Sequence, residues 1–352
     1  MGVPMNSSMT STTKARPGQW LKEQFLTHLE VGRPDLVFYS GLVSVAGAVL
    51  ASDTWSVWQL IGAWAAPTCG WFAAMYGGDY FDRELDKITK SQRPLPSGRM
   101  SPRTALSGMI LWVLLGMVIA VLLNPINLLM VVLALSFGVA YSKVLKSRGA
   151  WGNLARGAIT ACAFAVGVFS TSTSPAPAIF VLALVFALHD AASNVVGAIC
   201  DAEGDRQGGY RTFPVRHGEK VSLRLMVVLH ALRMVLAIVY PLVALPEFAY
   251  GPHLPFLIVA IVMTVVSIVM LYRAGSPIPR VAALKSHEVL VVERLVLASA
   301  YVAAAGGAWL GLGLMVPFIA ATFLSSLFLM RGSYEPSRRW RARRAEAKAR
   351  PV

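Results

Sequence analysis

Two clusters of carboxylates stand at the ends of apolar segments. The first reads Gly78-Asp79-Tyr80-Phe81-Asp82-Arg83-Glu84-Leu85-Asp86 and the second Asp201-Ala202-Glu203-Gly204-Asp205. On a helix, residues four apart lie nearly above one another, so Asp82 and Asp86 share a face, as do Asp201 and Asp205. Asp79 joins the first pair, whereas Glu84 and Glu203 point to the opposite side. Two facing sets of acids form an oxygen-rich site suited to Mg²⁺, which typically bridges a few carboxylates to phosphate oxygens. Acids at a membrane edge, able to hold an anionic diphosphate only through metal, point to chemistry on a lipid diphosphate. Carboxylates so near a bilayer are costly to keep ionised, which argues for a functional role.

The bilayer is read from composition. Of 352 residues 56% are hydrophobic and only 14% charged, values that fit a polytopic membrane protein and exclude an ordinary soluble domain. Cys69, Cys162 and Cys200 are widely spaced in apolar surroundings, giving neither a disulfide framework nor zinc spacing, and read as small buried side chains. The net charge of +14 is spread over loops and the C-terminal tail, a distribution that suits anionic lipid headgroups and not nucleic acid.

The elements that must position the acids follow from the apolar runs. These fall at about 35–52, 57–78, 104–123, 126–142, 154–171, 176–199, 222–244, 254–273, 291–311 and 313–330. Most approach the length a helix needs to cross a bilayer. Residues 1–17 are polar and expected to be a disordered tail, 18–330 form the membrane domain, and 331–352 form a basic tail. Within the domain, residues 18–30 are expected to form an interfacial helix carrying Trp20, Leu21, Phe25 and Leu29 on one face. Lysine and arginine crowd alternate connections, so the positive-inside rule predicts ten crossings with both termini and both acid clusters on the cytoplasmic side.

Basic residues follow each cluster: Lys87, Lys90, Arg93 and Arg99 after the first, Arg206 and Arg211 after the second. Cations beside metal-binding acids suit a leaving diphosphate, whose growing charge they offset. Farther down the sixth run, Asp190, Asn194, Gly197 and Asp201 fall on one helical stripe. Asp190 is a candidate catalytic residue, about three turns from the metal-binding acids and so away from the diphosphate. The alternative is a polar residue bonded to a neighbouring helix, which is also the reading for His189, His230, Arg233, His287 and the Glu293-Arg294 pair.

Together these residues resemble the UbiA superfamily of intramembrane prenyltransferases, marked by NDxxDxxxD and DxxxD motifs. The likeness includes Arg33-Pro34, the Arg93–Arg99 stretch, Tyr141-Ser142 with Lys146, Gly152-Asn153, Gly204-Asp205-Arg206 and Arg211-Thr212, and extends over about residues 30–300. The resemblance implies an all-α bundle of nine or ten transmembrane helices around a central cavity. It implies Mg²⁺ held by Asp82, Asp86, Asp201 and Asp205, with Asp79 or water filling in because Gly78 stands where the family has asparagine. Lys90, Arg93, Lys146 and Arg211 are expected to hold an isoprenyl diphosphate. The isoprenyl group then passes to an aromatic or other lipophilic acceptor. The alternative within the same fold is a terpene cyclase, in which the substrate's own double bonds capture the cation. A transporter would need polar residues through the depth of several helices, whereas these acids gather at one face.

Overall fold

The computed structural model describes residues 17–245 and 247–330, and among them every regular element is a helix. The expected 1–17 tail (Pro17 apart) and the basic 331–352 tail lie outside the described residues. Each of the ten apolar runs becomes one helix: α2 (Phe38–Ala51), α3 (Val57–Phe81), α5 (Pro102–Leu123), α6 (Asn127–Lys143), α7 (Ala150–Thr171), α8 (Ile179–Gln207), α9 (Phe213–Ala244), α10 (Tyr250–Arg273), α11 (Arg280–Gly306) and α12 (Ala308–Ser325). Two further helices precede and interrupt this series, α1 (Pro17–Gly32) and α4 (Arg83–Thr89). Seven of the helices are long and apolar enough to span a membrane, and α2 and α6 are shorter apolar helices.

Local chemistry sets the boundaries. Ser56 and Gln59 form a reciprocal capping box at the start of α3, and Ser101 caps α5 with Pro102 in its first turn. The single residue between α11 and α12 is Gly307, whose φ of +84° strains any residue with a Cβ. Several boundaries differ from those expected, among them the start of α9 at Phe213, nine residues before its apolar run. The second acid cluster does not end its helix, because α8 continues past Asp205 to Gln207. Likewise α11 starts at Arg280, eleven residues before its apolar run, and the break before α12 falls at Gly307 instead of 312. At α8, α9 and α11 polar turns extend an apolar helix, which apolarity alone does not register, whereas the break before α12 is set by Gly307.

The core is built on α2, α7, α8 and α11. Tyr39, Leu42, Phe164, Phe186, Leu295, Leu297 and Tyr301 interlock there. The α2–α7 contact is close because Gly167 faces the Ser44 carbonyl, where a Cβ would overlap the oxygen. By contrast α5, α6, α10 and α12 turn rows of leucine, valine and phenylalanine outward, as lipid-facing helices do. Cys69, Cys162 and Cys200 are free and buried, as expected. On α1, Leu21, Phe25 and Leu26 are exposed while Thr27 and Val31 are buried, and Glu30 pairs with Arg99. Leu29 of the expected apolar face is half-buried, and Lys22 and Glu23 are exposed beside Leu21.

The connections sort to two ends. At one end, Lys90 reaches Asp201, Lys146 reaches Asp82, Arg216 donates to the Ser147 carbonyl, and Glu219 accepts from the Ile278 amide. These contacts gather the basic connections after α4, α6, α8 and α10. At the other end Gln59, Asn124 and Asn127 bind the Phe169–Ser170 corner.

Candidate functional site

The first acid cluster straddles a helix break. Asp82 ends α3 and starts α4 with φ −88° and ψ 7°, yet helical bonds persist on both sides. The Asp82 amide donates to the Gly78 carbonyl at 2.9 Å and the Asp86 amide to the Asp82 carbonyl at 2.8 Å. Asp79, Asp82 and Asp86 therefore keep a common face. The second cluster lies on the uninterrupted last turns of α8, where Asp205 is buried.

Cations knit the two clusters together. Lys146, on a 3₁₀ turn at Leu145–Ser147, holds its ammonium 3.2 Å from Asp82 and 3.9 Å from Asp205, so one charge serves an acid from each cluster. Burial alone would lower its pKa, but Asp82 and Asp205 outweigh that and hold it above the ordinary lysine value. Lys90, which caps α4, donates to Asp201 at 2.9 Å. Arg93 lies 3.0 Å from Asp86 and 3.7 Å from Asp79. Arg211 is different. It is exposed, its carbonyl accepts from Arg216, and among the described contacts its side chain reaches none of the acids.

Two contributors escaped the sequence reading. Arg33 donates to Asp79 at 2.8 Å, so the α1–α2 corner is tied to the site. Tyr210, on the turn after α8, donates its hydroxyl to Asp82 at 3.4 Å and lays its ring 4.6 Å from the Lys146 ammonium. Arg33 was visible only as part of the Arg-Pro dipeptide. Tyr210 gave no signal, since an aromatic residue in a polar loop has many ordinary explanations. Glu84 and Glu203 turn outward and pair with Lys87 and Arg206.

Among the described residues no three His, Cys, Asp or Glu side chains converge closely enough to cage a metal ion. Asp79 is committed to Arg33 and Arg93, and basic side chains stand against the other acids. The donor set still fits Mg²⁺. It is all oxygen, and Asp82 and Asp205 already share one cation, which is the arrangement a bridging ion and its phosphate ligands need. At Gly78 an added Cβ would meet nothing within 4 Å, so the place of the family's asparagine is open space.

Below the acids, α7 and α8 face each other through polar groups. Asn194 donates to Asn153 at 2.6 Å and Tyr141 to Asn194 at 3.4 Å. Asp190 is buried, accepts from Thr160 at 3.0 Å, and lies 3.7 Å from the Arg156 nitrogen. The stripe expected on α8 is thus occupied at Asp190 and Asn194 by contacts to α7. His189 faces the other way and bonds Glu293, which also pairs with Arg233 at 2.8 Å. His189, Arg233 and Glu293 are interhelical partners, as expected.

Comparison with known proteins agrees with this geometry. The sequence model of the UbiA prenyltransferase family matches residues 40–285. The digeranylgeranylglyceryl phosphate synthase of Methanopyrus kandleri is 30% identical over 230 residues, 64% of this chain and 82% of that one. The synthase of the same name from Ignicoccus hospitalis is 29% identical over 256 residues, 71% and 83% of the two chains. Among solved structures, a digeranylgeranylglyceryl phosphate synthase superimposes with a TM-score of 0.60 at 23% identity, over 82% of this chain and 99% of that one. A UbiA homologue from Archaeoglobus fulgidus bound to GPP and Mg²⁺ gives 0.61 at 17% identity, over 78% and 99%. These two likenesses establish the fold. The chain belongs to the UbiA prenyltransferase family and is a multi-pass membrane prenyltransferase.

Proposed function

We propose that this enzyme moves an isoprenyl group from an isoprenyl diphosphate to a lipophilic acceptor, with Mg²⁺ as cofactor. The observation that carries this reading is Lys146, whose one ammonium joins the α3–α4 acids to the α8 acids. Asp82, Asp86, Asp201 and Asp205 are the residues that would hold the metal, with Asp79 behind them fixed by Arg33 and Arg93. When bound, Mg²⁺ supplies positive charge against the departing diphosphate. Lys90, Arg93 and Lys146 are positioned to bind the same oxygens once the acids take metal, and Arg211 can join them from the exposed loop. The C1–O bond of the donor breaks with its electron pair leaving on the diphosphate. The acceptor then gives a pair to C1 and loses a proton.

The acceptor is aromatic or another lipophilic molecule. Related enzymes are named for a glyceryl phosphate lipid, which favours the broader class over an aromatic ring alone. Asp190 lies about 16 Å along α8 from Asp201, at ~1.5 Å per residue. That is too far to bind the metal and suitable for a role at the acceptor or chain. Asp190→Asn should accordingly reduce organic product more than diphosphate release, and an equal fall in both assigns Asp190 a structural role. The gathering of the basic connections at one end supports a cytoplasmic site with ten crossings. Reporter fusions after Ser52 and after Met330 should report the external and the cytoplasmic side, respectively.

Open space at Gly78 keeps the cyclase reading as the second one, since the family's asparagine is missing from the metal end. Purified protein with geranyl, farnesyl or geranylgeranyl diphosphate and Mg²⁺ decides between them. A transferase leaves the donor largely intact until an acceptor is added. A cyclic hydrocarbon or alcohol formed without acceptor identifies a cyclase.

A further inference from the structure

The polar stripe of α8 borders open space. Val195, Val196, Ile199 and Cys200 are buried by packing, yet Asn194, Gly197 and Asp201 on the face between them stay half-buried. Tyr141 and Arg156, which meet the same stripe from α6 and α7, are half-buried as well. Accessible area kept on polar groups between packed helices marks an internal space leading inward from Asp201.

His287 of α11 stands over this space. Its neighbour Ser286 bonds Ser267 of α10 at 2.7 Å, and the next side chain points about 100° farther round the helix, toward α8. A Cβ placed on Gly197 would meet the His287 Nε2 at 4.0 Å, so the ring lies over the glycine of the stripe. The expectation for His287 is a bond to a neighbouring helix. Instead it is half-buried, and among the described residues its ring makes no hydrogen bond or ion pair, although Arg294, Asp201, Asp190 and His189 act on it electrostatically. Other polar groups of α11 are engaged. Glu293 pairs with Arg233, and Arg294 lies 4.8 Å from the centre of the Tyr39 ring.

Depth decides what the ring can serve. Gly197 is ~6 Å along α8 from Asp201 and ~10 Å from Asp190, at ~1.5 Å per residue. A diphosphate held at Asp201 puts its C1–O bond about one turn farther in, level with His287. Asp190 is level with the chain instead, and its carboxylate is engaged by Thr160 and Arg156. Bond formation at C1 leaves one proton to remove, from a hydroxyl oxygen or from the ring carbon of an aromatic acceptor. A neutral imidazole nitrogen can accept it.

We propose that His287 is the general base of prenyl transfer, taking at Nε2 the proton that the acceptor loses. This rests on the transferase reading. The acceptor gives an electron pair to C1 while the C1–O pair leaves on the diphosphate. The pair of the breaking O–H or C–H bond then stays on the acceptor and the proton moves to the ring. His287 returns to its neutral form by passing that proton to water once the products leave.

Full-length protein in nanodiscs is given geranylgeranyl diphosphate, Mg²⁺ and, separately, two acceptors: a glyceryl phosphate ether lipid with a free hydroxyl, and 4-hydroxybenzoate. Diphosphate and prenylated acceptor are measured independently. His287→Gln should lower kcat for transfer about 10²-fold or more, the usual contribution of a general base, and change each KM less than about 3-fold. Wild type should release one diphosphate per prenylated acceptor. His287→Gln should release an excess, recovered as the prenyl alcohol formed with water. Imidazole added to His287→Ala should restore part of kcat, which it cannot do for a side chain that only packs.

Wild-type kcat in a folded variant overturns the proposal, and so does a loss that imidazole leaves untouched. Should the alanine variant not fold, the glutamine variant decides, and a one-to-one ratio of diphosphate to prenylated acceptor there overturns the base. A wild type that prenylates neither acceptor overturns the transferase reading and the base with it, whereas transfer by wild type that is undiminished in His287→Gln overturns the base alone.

Discussion

The two acid clusters have the same spacing and are built differently. The α8 cluster rides on a continuous helix, so the common face of Asp201 and Asp205 follows from helical geometry, with one lysine against each acid. The α3–α4 cluster sits across a break at Asp82 and is held in place by side chains from elsewhere: Arg33 and Arg93 on Asp79, Arg93 on Asp86, Lys146 and Tyr210 on Asp82. Both halves carry cations, but only the α3–α4 half needs a dense frame of them across a helix break. The difference teaches that a DxxxD pattern specifies a face but not what keeps that face in register.

The largest effect should come from removing an acid on either side. Asp82→Asn and Asp201→Asn should each lower turnover by orders of magnitude, about 10²-fold or more, while leaving the melting transition cooperative, because each removes a charged ligand from the site. A mild effect at one position and a severe one at the other would mean that one cluster is not catalytic.

Next comes the frame. Lys146→Met should lower kcat/KM for the donor by about 10-fold or more, and it should also loosen the metal-free protein. The pH dependence of that loss can be worked out. The Lys146 pKa is raised above its unfolded value, so its contribution to stability is fully present below the ordinary lysine pKa and disappears only as pH rises through the higher folded value. The Tm difference between wild type and Lys146→Met should therefore be the same at pH 7 and pH 9. A difference that shrinks across that range would show that Asp82 and Asp205 do not hold the ammonium.

Tyr210→Phe tests the same frame more gently. It removes one hydroxyl from Asp82 and leaves the ring against Lys146, so a loss of about 2- to 5-fold in donor kcat/KM is expected, with Tyr210→Ala worse. Equal effects would assign the contribution to the hydroxyl. At the small end, Glu84→Gln and Glu203→Gln should change activity less than about 2-fold, since both carboxylates are exposed and paired on the surface. A loss comparable to Asp82→Asn would refute the helical-face argument.

Much of this was legible from residue order. All ten apolar runs correspond to helices, and the outward turn of Glu84 and Glu203 follows from periodicity alone. The helix ends were less legible, because Arg280–Glu288 and Asp201–Gln207 are polar turns that continue apolar helices. Lys90, Arg93 and Lys146 could be placed as cations near the acids, since each lies in a loop beside a cluster or at the same end. Their pairing could not, and neither could the Arg33–Asp79, Arg156–Asp190 and Arg294–Tyr39 contacts. Those depend on how helices far apart in sequence pack, and no local period encodes that.

The central claim is that the two clusters act as one site. A double-mutant cycle on Asp82→Asn and Asp205→Asn, read by the rate of Mg²⁺-dependent diphosphate release, tests it most directly. If both acids serve one ion-and-diphosphate site, the double variant should be about as slow as the slower single variant. Losses that multiply, each acting as though the other acid were still in place, would contradict the account.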